Sequence, residues 1–145
     1  MKKSIKYIIG ILIVLICIIL IVVFIKQSQK TPLKANEINI DGKVIQLTAN
    51  KSDYSEYDDI EDFSVYDNKN DFEIEIQNPN ILTYKDIKVG DSADKLDFCI
   101  DPVETGMIFY YESNIRHQGY HLKIWYGVDP FDDTIISITY EYYNK

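Results

Sequence analysis

The sequence predicts an α+β fold: an N-terminal transmembrane helix, then a small domain with a β-hairpin, short helices and a C-terminal three-stranded antiparallel meander. Three observations predict it. Residues 7–25 run without a charge, Asp41-Gly42 separates two short apolar runs, and three alternating stretches follow one another between 107 and 143. The 145 residues, 46% hydrophobic and 26% charged, suit one modest domain and exclude a multidomain enzyme.

The first element is the apolar run. A helix over residues 7–25 would be about 28 Å long, close to the roughly 30 Å hydrocarbon core of a bilayer. It is apolar on every side, so it lacks the amphipathic face of a helix packed on a soluble core. A cleaved signal peptide would have a shorter apolar stretch ending at a small-x-small site. Phe24-Ile25-Lys26-Gln27-Ser28-Gln29-Lys30 offers none. Cys17 follows the bulky Ile16, where a lipoprotein needs a small residue. The segment therefore reads as an uncleaved signal anchor. Lys2, Lys3 and Lys6 balance Lys26, Lys30 and Lys34 across it. The α-amino group and the shortness of the head put the N-terminus inside the cell. The expected organisation is a cytoplasmic head 1–6, the anchor 7–25, a stalk 26–35 and an extracytoplasmic domain 36–145, on a single-pass protein of the cell membrane.

Charge is divided unevenly. Residues 1–34 hold six Lys and no acid; the remaining nine basic and 23 acidic residues give 35–145 a net charge of −14. So acidic a domain cannot hold a phosphate backbone, which argues against nucleic acid as a partner. The same charge keeps it soluble and off anionic lipid.

After the stalk, Asp41-Gly42 predicts a two-residue hairpin across 37–47, because both turn positions want φ > 0. Ser52 or Asp53 is the expected cap of a short helix to Ile60, with Tyr54, Tyr57 and Ile60 on one stripe. The neighbouring acids Glu56, Asp58, Asp59, Glu61 and Asp62 lack the spacing of a calcium loop and read as a solvated face. Residues 71–77 alternate cleanly, Phe72, Ile74 and Ile76 inward, Glu73, Glu75 and Gln77 outward. Asp91 or Ser92 is the expected cap of a second short helix ending near Phe98, before Asp101-Pro102.

Strands follow at 107–112, 120–128 and 134–143. The second places Tyr120, Leu122, Ile124, Tyr126 and Val128 on one face and His121, Lys123 and Trp125 on the other. The third places Ile136, Ile138, Tyr140 and Tyr142 opposite Ser137, Thr139 and Glu141. The sheet therefore has a greasy face for the helices and a mixed face carrying one Trp.

Few residues suggest chemistry. His117 and His121 have a metal-like spacing, but Gly119 lies between them and a strand follows. Asp129, Asp132 and Asp133 are turn formers in a hairpin loop that could supply only part of a cation's ligands. Cys99 has no basic neighbour in sequence and reads as a small buried hydrophobe. No nucleophile elbow, P-loop or dinucleotide turn occurs. The expectation is a non-catalytic module without cofactor or metal. Its binding residues would be Trp125, His121 and Lys123, with Thr139 or Glu141 beside Trp125 across the strand pair. The rival expectations are that the hairpin or stalk covers Trp125, and that the chain is a metal-dependent hydrolase using His117, His121 and the 129–133 loop.

From Ile87 onward the order is Val89-Gly90-Asp91-Ser92, a short helix with Asp94 and Leu96, a Pro102 loop and three strands, the last opening Asp132-Asp133-Thr134-Ile135-Ile136. This resembles the small α+β module of β-lactamase-inhibitor-like proteins and of the SmpA/OmlA envelope lipoproteins. With the hairpin before it, the whole resembles small membrane-anchored proteins of low-GC Gram-positive bacteria. The resemblance implies a binding module that presents a sheet face to another protein, with no cofactor; the wider expectation for the chain is contact with a protein or an envelope component. Fold likeness by itself does not fix function.

Overall fold

Asp41 and Gly42 both take positive φ, 51° and 86°, and the Asn39 side chain accepts a hydrogen bond from Gly42 N–H at 2.8 Å. That turn joins β1 (Glu37–Ile40) to β2 (Lys43–Gln46), the hairpin expected from Asp-Gly. The computed structural model describes Leu12, Leu15, Ile16, Ile18, residues 31–68 and residues 71–144. The chain divides into two units, Met1–Thr31 and Pro32–Lys145. The expected anchor 7–25 lies outside the described residues except at those first four positions, which are helical. Among the described residues no helix is long and apolar enough to cross a membrane.

The second unit is mostly β, which corrects the α+β expectation. Both expected short helices are 3-10 turns. In the turn Lys51–Tyr57 the cap is Asn50, which accepts from Ser52 N–H, rather than Ser52 or Asp53. Tyr54 and Tyr57 are buried at spacing three, the repeat of a 3-10 helix, where side chains i and i+3 eclipse. The turn Ala93–Leu96 is capped by Ser92 and buries Leu96.

The expected three-stranded meander is the larger part of a five-stranded antiparallel sheet. Its strands are β3 (Phe63–Asp67), β4 (Asp71–Ile76), β5 (Ile108–Glu112), β6 (His121–Val128) and β7 (Ile135–Tyr143), in the order β3-β4-β7-β6-β5. Phe72, Ile74 and Ile76 of β4 and Leu122, Ile124, Tyr126 and Val128 of β6 are buried, as alternation predicts. In β7, Ile135 is buried and Ile136 exposed, the reverse of the expected placement. The cause is a bulge: Gly127 pairs with Ser137 but Val128 pairs with Ile135, so Ile136 is the extra residue.

One core joins these inward residues to Ile38, Ile40 and Leu47 of the hairpin region, to Tyr54 and Tyr57, and to Leu96. The hairpin and the 3-10 turns therefore close the apolar face of the sheet, where helices were expected. The hairpin packs on the inner face, opposite the one that carries Trp125, rather than over Trp125.

Candidate functional site

The outer face follows from register. One row across the strands reads Ser64, Glu75, Thr139, Trp125, Tyr110; the next reads Tyr66, Glu73, Glu141, Lys123, Glu112; a third reads Asp71, Tyr143, His121. None of these side chains is buried. Period-two alternation puts Trp125, His121 and Lys123 on this face, and pairing then adds residues from β5 and β7 that β6 alone does not reveal.

The structure brings all three expected site residues together. The Lys123 ammonium lies 5.0 Å from the Tyr110 ring, 5.0 Å from Trp125 and 5.2 Å from Tyr143, within cation–π range of each. Tyr110 packs on Trp125 with ring centroids 5.3 Å apart, and His121 stacks on Tyr143 at 5.5 Å. Trp125 pairs with Thr139 and its Nε1–H donates to Glu141 Oε2 at 2.6 Å. The Tyr143 hydroxyl donates to Glu112 Oε1 at 2.6 Å. Burial and that carboxylate push the Tyr143 phenol up to about 12, so it stays a neutral donor at any ordinary pH. Trp125 is thus half-buried and hydrogen-bonded, between the exposed and the covered alternatives that the sequence leaves open.

Glu73 and Glu141 face each other directly across the β4–β7 pair. Partial burial first, then Glu141, Asp71 and Glu75, raise the Glu73 carboxyl above its ordinary value. Like charges directly opposite in a sheet are destabilising. Along the β5 edge a cleft of about 480 Å³ opens beside the rings, with Ile100, Tyr110, Glu112, Ser113 and His121 in its wall.

The residues of the hydrolase reading are not brought together. His117 precedes β6 and the 129–133 loop follows it, so eight residues of strand, about 25 Å, separate them. Asp129 accepts from Phe131 N–H and Asp132 from the Thr134 hydroxyl, both local turn bonds. Among the described residues no three His, Cys, Asp or Glu side chains gather as a metal site.

The Ser113 hydroxyl lies 3.0 Å from His117 Nε2, a pair not expected from sequence. The same hydroxyl bonds Ile115 N–H and C=O, and Ser113 is buried. This is a loop staple, with the histidine's proton affinity lowered by burial. Cys99 is half-buried, and burial pushes its thiol up to about 12, leaving it protonated and unreactive.

No protein-family model, no curated protein and no solved structure matches the chain.

Proposed function

We propose that this chain is a non-catalytic, single-pass binding module of the cell membrane, anchored through residues 7–25 with its C-terminal domain outside. It contacts a protein partner through the outer face of its five-stranded sheet. The observation that carries this reading is the Tyr110, Trp125, Tyr143 and His121 cluster, ordered around Lys123 on a face that contributes nothing to the core. Rigid half-buried aromatics with a polar rim are the composition of interface anchors. Among the described residues, five carboxylates, Asp71, Glu73, Glu75, Glu112 and Glu141, share this face with the single ammonium of Lys123. Charge complementarity therefore selects a basic protein surface as the occupant. The resemblance to the β-lactamase-inhibitor-like and SmpA/OmlA modules, which implies a sheet face presented to another protein, supports the same reading.

A photo-crosslinking residue at Thr139, beside Trp125, tests this in intact membranes. The same probe at Val44, exposed on the hairpin, is the control. The expected result is a discrete adduct to a basic protein from position 139 alone, lost in Trp125→Ala. An adduct that forms equally from position 44, or survives Trp125→Ala, overturns the reading. A cysteine placed at Phe131, which is 97% exposed, reports topology; labelling by an impermeant reagent only after lysis would reverse the orientation.

A further inference from the structure

The three rings around Lys123 already show what chemistry they take. An ammonium sits 5.0 to 5.2 Å from three ring centroids, and the face supplies it from its own strand. Two carboxylates are fixed at the wall of this cage. Glu141 accepts from Trp125 and Glu112 from Tyr143, each bond using one oxygen. Among the described residues nothing else hydrogen-bonds to the Glu141 carboxylate. Across the next strand pair Glu73 faces that same carboxylate, and no described residue forms an ion pair with it. The arrangement holds ring faces and an under-neutralised carboxylate pair side by side, and among the described residues of this face Lys123 is the one ammonium that serves both.

Resting on the sheet-face reading above, we propose that Tyr110, Trp125 and Tyr143 form a receptor for an arginine side chain of the protein partner, with Lys123 as the resident stand-in that the arginine displaces. A guanidinium suits the site better than an ammonium. It is planar, stacks on aromatic faces, is more weakly hydrated and can bond a carboxylate with two parallel N–H donors. Lys123 has a flexible four-carbon stem and a strongly hydrated head, so it can leave the rings for solvent. Its departure would uncover the rings and the Glu141 oxygen together. Lys123 therefore competes with the partner from within the chain, and removing it tightens binding.

Trp125 is the single Trp of the sequence, so its fluorescence reports on this cage. The full chain in mild detergent is titrated with a capped tetra-arginine peptide at low salt. The peptide is expected to change Trp125 emission and to bind Lys123→Met about fivefold more tightly than the unsubstituted chain. Lys51→Met makes the same charge change outside the sheet and is expected to leave affinity unaltered. A tetra-citrulline peptide, uncharged but similar in shape, is expected to be silent. Tyr143→Leu or Tyr110→Leu added to Lys123→Met is expected to abolish the gain, circular dichroism showing each variant folded.

Equal tightening by Lys123→Met and Lys51→Met would reduce the effect to net acidity and overturn the proposal, as would unchanged Trp125 emission. If emission is unchanged while the position-139 adduct still depends on Trp125, the arginine receptor is wrong and the sheet-face reading stands. If that adduct also fails, both fall.

Discussion

On the inner face of the sheet the row Ile74, Tyr140, Ile124 crosses three strands with no solvent exposure, whereas one residue along each strand Glu73, Glu141 and Lys123 form a half-buried row of charges. The same backbone carries both rows, so the difference lies in side chains alone. Inner residues gain their free energy by leaving water. Outer residues gain little that way, and Glu73 opposite Glu141 costs stability. Folding explains the first row. The second holds an arrangement that folding does not require, and that is why function is sought there.

The sharpest test sets neighbours in one strand against each other. Ile124→Ala empties a fully buried position and is expected to cost about 3 kcal/mol in urea unfolding, the usual scale for such a cavity. Trp125→Ala is expected to cost about 1 kcal/mol, because cross-strand contacts at a half-buried position are worth little more. Equal losses would break the comparison and make Trp125 a structural residue.

The inner face is not uniformly satisfied, which supplies a second and smaller test. Tyr140 accepts from Tyr84 N–H at 3.2 Å, but the buried hydroxyls of Tyr126 and Tyr142 have no hydrogen-bond partner among the described residues. Burial drives the Tyr142 phenol far above its ordinary value, so the group stays neutral and pays only for lost water. Tyr142→Phe keeps the ring against Phe72, 6.2 Å away between centroids, and removes the stranded oxygen. It is expected to raise stability by about 1 kcal/mol. A loss in the same unfolding experiment would mean that the hydroxyl is satisfied in solution.

How much of this could be read from residues alone follows from the range of each signal. Alternation is local, so β4, β6 and most of β7 were legible, and with them the placement of Trp125, His121 and Lys123 on one face. Phe63 and Val65 also alternate with Ser64 and Tyr66, but so short a run, next to the acids Glu61 and Asp62, carries too little signal to mark β3 from sequence. Tyr54 and Tyr57 carry a spacing of three with few turns to extend it, which cannot separate an α-helix from a 3-10 turn. The Ile135–Ile136 reversal was illegible because a bulge exists only relative to a partner strand. The cage was half legible for the same reason: Lys123 and Trp125 lie on β6, while Tyr110 and Tyr143 join them only through the pairing of β5 and β7.

The smallest expected effect belongs to Glu73 and has a sign that pH can check. Its folded proton affinity is raised above the ordinary value of 4.5, by partial burial first and by Glu141, Asp71 and Glu75 after it. The folded state therefore holds this proton more tightly than the unfolded chain. The resulting stability is present in full below the unfolded value and is lost as pH rises through the folded one. Glu73→Gln keeps the shape and removes the ionisation. At pH 7 it is expected to stabilise by about 0.5 kcal/mol, the scale of a cross-strand charge pair screened by solvent. Near pH 4, where the wild-type carboxyl carries its proton, the gain is expected to vanish, and high salt should shrink it at pH 7. A gain equal at both pH values would place the effect in packing, and a loss at pH 7 would mean that Glu73 is already neutralised. Either outcome would remove the cost that distinguishes the outer face. Where the predicted gain appears, it measures the cost of burying this charge together with its repulsion by Glu141, Asp71 and Glu75, and the repulsive part is what an arriving cation would relieve.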